Sequence, residues 1–268
     1  MIASDRGLVL RTLALGETSK IVSILGRESG KLRLVARGVR APRSRAGACL
    51  EVGNEIEFVF SQRPGSDLGM LRETSLVRAW LAAVRRMETL GVSWAVLELL
   101  ERVIPDGAPE GGLLDDAWCC FEALGHCGDR SGTLLLFYAF ELRLLERLGL
   151  RPALASCRIC GTPPAGAVYL DVQAAGFTCR TCRVASPAEL RLPAPVAATL
   201  LHLLEQPWEV ANLETRAHTR RAVGIALHQL LGAHVERYRY PVSLRLLKKV
   251  DTFPTSDSAS SGMSRTLR

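Results

Sequence analysis

The sequence predicts an α+β chain of two domains, a small N-terminal β-barrel followed by an all-α domain interrupted by a metal-binding insertion. Three observations predict it. Five short segments rich in Val, Ile, Leu and Phe crowd the stretch before Trp80. Helical periodicity takes over from there. Far downstream, Cys157-x-x-Cys160 is answered by Cys179-x-x-Cys182 after 18 intervening residues.

The strand segments are residues 7–15, 19–26, 31–37, 54–61 and 68–78. "KIVSILGRESGKLRLVARG" reads as two strands joined at Glu28, Ser29 and Gly30, with alternation at Leu32, Leu34 and Ala36. Five short strands in so little chain suggest a closed sheet, and the OB-fold is the commonest five-stranded one. Domain one is therefore expected at residues 1–79. Phe58 and Phe60 are its only aromatics, and being two apart on one strand they should share a face and belong to the core.

Between the third and fourth strands lies "RGVRAPRSRAG", which has no carboxylate. Across residues 27–45, Arg27, Lys31, Arg33, Arg37, Arg40, Arg43 and Arg45 face only Glu28, a local excess of +6 in a chain whose net charge is +7. A basic excursion from a rigid barrel points to an anionic partner, nucleic acid first of all. A solvated charged face is the competing reading.

The helical domain is expected at residues 80–250. Trp80, Val84, Met87, Trp94 and Leu97 recur at helical spacing, and Thr133–Leu148, "TLLLFYAFELRLLERL", is apolar on most of its circumference. That helix should be the buried centre, capped by Ser131 and stopped by Gly149 and Pro152. A further helix from about Thr215 to Tyr238 places Val223, Leu227, Leu230 and His234 on one face. The tail 251–268 is Ser-rich with little to bury, and disorder is expected there.

The insertion, residues 153–186, holds the two cysteine pairs. Two Cys-x-x-Cys turns, brought together by a hairpin from residues 167–172 and 175–179, close a tetrahedron of thiolates around zinc. Four buried thiols are the alternative. A full thiolate shell leaves no position for water, so the predicted role is structural. His234-Val235-Glu236 matches half of a deaminase signature but follows both cysteine pairs, and Ser156 and Thr178 stand where that signature needs proline. Cys119, Cys120, His126 and Cys127 cluster on one predicted helix, where adjacent cysteines point in different directions and read as small core residues, with a second metal site as the competing reading. His202, His218 and His228 have no carboxylate or serine at useful spacing, and no phosphate-binding Gly-rich loop or nucleophile elbow occurs. No catalytic residues are predicted.

The longest uncharged run is the stretch from Ala222 to Val235, shorter than the roughly 20 apolar residues of a membrane span. Asp5 and Arg6 interrupt the region where a signal peptide would be apolar. A cytoplasmic location without membrane contact is expected, with the eight cysteines as ligands or free thiols.

Two long blocks, "GETSKIVSILGRESGKLRLVARGVRAPRSRAGA" and "FELRLLERLGLRPALASCRICG", together with the second cysteine pair, resemble the bacterial RecO family of recombination mediators. The resemblance runs from about Gly7 to Leu247. It implies an OB-fold, a helical domain with a zinc-binding insertion, and a non-enzymatic role in recombinational repair. Such proteins bind single- and double-stranded DNA, anneal complementary strands and, with RecR, load RecA onto DNA coated by single-stranded DNA-binding protein. Cys157, Cys160, Cys179 and Cys182 match the metal-binding form. Homologues also recognise the acidic, hydrophobic-ended tail of single-stranded DNA-binding protein, for which Arg143, Arg147 and Arg151 are the candidate residues. An OB-fold RNA-binding or ribosome-associated factor and a zinc-dependent nucleic-acid enzyme remain the rival readings.

Overall fold

The computed structural model describes residues 2–41, 44–63, 65–82, 84–210 and 213–244. Arg43 and the tail 251–268, both singled out above, lie outside the described residues. Two compact units emerge, one formed by Met1–Arg86 with Val96–Phe121, the other by Met87–Ala95 with Glu122–Arg268.

The first unit is built on five strands, β1 (Ile2–Leu15), β2 (Ser19–Gly26), β3 (Gly30–Ala36), β4 (Asn54–Ser61) and β5 (Gly69–Ala79). They form a closed barrel in the order β1-β2-β3-β5-β4, with β3 and β5 parallel and the other pairs antiparallel. The five predicted strands are the five observed. Alternation drives the closure, because Val9, Val22, Ile24, Leu32, Leu34, Ala36, Ile56, Phe58 and Phe60 all point into one core. The β3–β4 connection carries a one-turn helix, α1 (Arg45–Cys49), capped by Ser44 through Gly47 N–H.

Residues 96–121 belong to this unit because they supply counter-charges to the outside of the barrel. Ser23 Oγ donates to Glu101 at 2.5 Å, Lys31 Nζ donates to the Glu101 carbonyl at 2.7 Å, and Gly107 N–H donates to the Lys31 carbonyl at 2.9 Å. Glu101 lies near the end of α2 (Met87–Val103) and Gly107 in the loop leading to α3 (Gly111–His126). Trp80 and Val84 precede α2, contrary to the helical periodicity that included them. Tertiary contacts explain Trp80: its indole N–H donates to Glu55 Oε2 at 3.0 Å, and its ring lies 5.9 Å from that of Phe121.

The second unit centres on α4 (Arg130–Arg147), whose residues from Gly132 to Leu142 are all buried, with α5 (Ala194–Glu205) and α6 (Ala217–His234) packed around it. Its cap is Asp129, whose carboxylate accepts from Ser131 and Gly132 N–H; the expected cap, Ser131, sits inside the helix. A carboxylate accepts two N–H groups where a hydroxyl would usually accept one. Gly149 ends the helix as expected, at φ 77°, with Leu150 N–H returning to the Leu145 carbonyl at 2.8 Å. Buried Glu141 sits mid-helix and accepts from Tyr238 Oη at 3.1 Å, while Tyr238 Oη lies 3.2 Å from His228 Nδ1. The insertion supplies a hairpin, β6 (Val168–Asp171) and β7 (Gly176–Thr178), and β8 (Glu189–Leu192), beyond its expected end at residue 186, pairs with β6 to complete an antiparallel sheet in the order β7-β6-β8. No described helix is long and apolar enough to cross a membrane.

Candidate nucleic-acid interface and metal centre

The cations of residues 27–45 separate into two groups that sequence alone does not distinguish. Those on or before β3 are engaged within the first unit. Arg27 pairs with Asp115 and lies 5.1 Å from the Trp118 ring. Lys31, 6% exposed, pairs with Asp106 at 3.3 Å. Arg33 meets the same carboxylate at 3.2 Å. Beyond β3, Arg37, Arg40 and Arg45 are exposed, and none has an ion-pair partner among the described residues. Arg40 instead hydrogen-bonds the Gly16 carbonyl at 2.7 Å, laying this segment along the β1–β2 turn. Phe58 and Phe60 are 2% and 6% exposed, so the barrel strands offer no aromatic platform for bases.

The four cysteines of the insertion converge. All their sulfurs lie within 4.8 Å of one another, and Cys160 Sγ is 3.8 Å from Cys179 Sγ. Four sulfurs at about 2.3 Å from one ion stand roughly 3.8 Å apart in a tetrahedron. Each pair bends in a tight turn: Gly161 N–H donates to the Cys157 carbonyl at 2.8 Å, and Arg183 N–H to the Cys179 carbonyl at 3.0 Å. Gly161 adopts φ 73°, a conformation that favours glycine. Main-chain N–H groups, that of Cys160 foremost, draw the Cys157 thiol down to about 6. Conversely the Cys182 thiol is pushed up to about 12, first by its hydrogen bond to the Cys160 sulfur and then by that to Cys179. A cation at the centre of such a cluster favours the thiolate form of its ligands. These residues can therefore hold one metal ion.

Two models of one protein family match nearly the whole chain. The N-terminal domain of recombination protein O matches residues 1–80, and its C-terminal domain matches residues 85–243. The chain belongs to the RecO family. Among its relatives, the DNA repair protein RecO of Exiguobacterium sibiricum is 29% identical over 250 residues, covering 93% of this chain and 95% of the relative. That of Anaeromyxobacter dehalogenans is 32% identical over 240 residues, 87% and 93% of the two chains. That of Thermobifida fusca is 34% identical over 228 residues, 82% and 89% of the two chains.

Within this RecO-family chain, the candidates for a peptide site stand at the end of α4. Arg143 and Arg151 both pair with Glu146, and Arg147 is exposed. His234 Nε2 lies 2.7 Å from the Val172 carbonyl, which gives the His-x-Glu match a structural contact in the second unit. Arg11, which the sequence reading did not single out, is exposed on β1 and has no ion pair among the described residues.

Proposed function

We propose that this chain is a recombinational-repair mediator that binds single- and double-stranded DNA through its backbone and anneals complementary strands. With RecR, it helps load RecA onto DNA coated by single-stranded DNA-binding protein. The observation that carries the reading is the combination, in a family of DNA repair proteins, of exposed arginines at 37, 40 and 45 with a barrel whose two aromatics are buried. Cations without a stacking surface neutralise phosphates and leave bases available, so two strands can meet without their bases first being peeled from the protein. Arg43, in the same run, is assigned the same role; Arg27, Lys31 and Arg33 contribute field from within their ion pairs.

Zinc is the ion assigned to Cys157, Cys160, Cys179 and Cys182, because thiolate donors in a tetrahedral set suit it. With four protein ligands its role is structural, and the protein acts without catalytic chemistry in the cytoplasm, at the nucleoid during repair. The acidic tail of single-stranded DNA-binding protein is assigned to Arg143, Arg147 and Arg151. A tail peptide should lose affinity when all three become Ala; undiminished binding removes that assignment.

The deciding experiment is annealing of complementary oligonucleotides already coated by single-stranded DNA-binding protein. Acceleration over the coated strands alone is expected. No acceleration overturns the mediator reading, and marked preference for RNA in competition with DNA of the same sequence favours an RNA-binding role.

A further inference from the structure

The loop at 104–110, which joins α2 to α3, lies against β3 and brings carboxylates to cations of the barrel. Its main chain holds it there: Lys31 and Asp106 form an isolated β-bridge, and Gly107 N–H donates to the Lys31 carbonyl at 2.9 Å. The approach is so close that a side chain at Gly30 would run into the Ala108 carbonyl. Asp106 is thereby fixed 3.3 Å from Lys31 Nζ and 3.2 Å from Arg33 Nε. Asp115, on α3, accepts from both terminal nitrogens of Arg27, the forked arrangement in which an arginine also grips a phosphate. Lys31 is buried and has a second acceptor in the Glu101 carbonyl. Arg27, Arg33 and their two carboxylates are instead 40–49% exposed. Ion pairs so exposed are weakly held, and a phosphate can reach their guanidinium groups.

Resting on the DNA-binding reading above, we infer that Asp106 and Asp115 form an autoinhibitory contact, occupying Arg33 and Arg27 in place of DNA phosphates. Both carboxylates are tethered in the same unit as the arginines, so they compete at a high effective concentration that no dilution lowers. Backbone binding is thereby confined to the segment that contains Arg37, Arg40 and Arg45. The consequence for annealing is release. A protein that brings two strands together must also let the duplex go, and two cations withheld from the backbone make that easier. Trp118 keeps the device ready, because its ring lies 5.1 Å from the Arg27 guanidinium and holds it in place whether or not Asp115 is charged.

The test uses the full chain and labelled oligo-dT titrated across a range of salt. Asp106→Asn with Asp115→Asn keeps an acceptor oxygen beside each cation and removes the charge. It should bind dT several-fold more tightly at low salt, and the slope of log affinity against log salt should steepen by about 1.4, roughly 0.7 for each freed arginine. Asp115→Asn alone, which leaves buried Lys31 and its partners untouched, should steepen it by about 0.7. Adding Arg27→Ala and Arg33→Ala to the double variant should restore the original slope. Glu57→Gln with Glu73→Gln makes the same change in net charge at exposed carboxylates that pair with neither arginine, and should leave the slope as it was. An unchanged slope in the aspartate variants, or an equal gain in the glutamate variant, overturns the autoinhibitory contact. Failure of the unsubstituted protein to bind dT at low salt would instead overturn the DNA-binding reading itself.

Discussion

Arg40 joins the basic segment to the first hairpin: its Nη1 donates to the Gly16 carbonyl at 2.7 Å, and its main-chain N–H donates to the Thr18 carbonyl at 2.8 Å. A guanidinium has five N–H donors, so this anchor leaves others for a phosphate. The segment is thus positioned without losing its charge.

Replacing Arg37, Arg40 and Arg45 by Ala should therefore reduce the salt slope of single-strand binding by about 2, from roughly 0.7 per lost phosphate contact. All sequences should weaken alike, because no base is being read. Anisotropy titrations of dT and mixed-sequence oligonucleotides between roughly 50 and 200 mM salt measure this. An unchanged slope would move the DNA site off this segment.

Lys31 should behave in the opposite way. Its ammonium is buried between the Glu101 carbonyl and Asp106, so Lys31→Met deprives two acceptors of a donor. A loss of stability of about 1–3 kcal/mol is expected, toward the low end because Asp106 is half exposed and can be hydrated. Urea unfolding reads the loss. A stable variant with a reduced salt slope would place Lys31 among the DNA contacts instead.

Binding of the metal and folding of the insertion should be one equilibrium. Cys157→Ser or Cys179→Ser should lower thermal stability and solubility, while the DNA affinity of the barrel stays close to that of the parent. Chelation should release one zinc and expose four titratable thiols. If a cysteine variant kept its full melting temperature, the structural role would be wrong.

Glu141 makes stability depend on pH. Burial pushes its carboxyl up from an ordinary value of 4.5 to about 8, although the hydrogen bond from Tyr238 acts the other way. Between those values the unfolded chain has released a proton that the folded chain still holds. Stability should consequently decline as pH rises from about 4.5 to about 8 and then level off, at up to about 1.4 kcal/mol per pH unit. Glu141→Gln keeps the acceptor for Tyr238 and removes the proton. It should raise the melting temperature at pH 8 and do little at pH 5; an equal effect at both would show that Glu141 does not titrate in this range.

The barrel and the cysteine cluster were legible in the sequence, because both are written in short-range periodicity. Alternation at Val22, Ile24, Leu32, Leu34 and Ala36 marks the face that lines the barrel, and Cys-x-x-Cys bends the chain into a two-sulfur turn whatever surrounds it. The stop at Gly149 was equally local, since it needs only a residue that tolerates positive φ. Long-range partners decided the rest. Seven cations look alike in the sequence, yet Asp106 and Asp115, some 70 to 90 residues downstream, engage Lys31, Arg33 and Arg27 and leave Arg37, Arg40 and Arg45 exposed. Trp80 fits a helical stripe until Glu55 and Phe121 claim its ring. Whether a charge meets solvent or a carboxylate depends on which distant segments fold against it, and no local pattern encodes that.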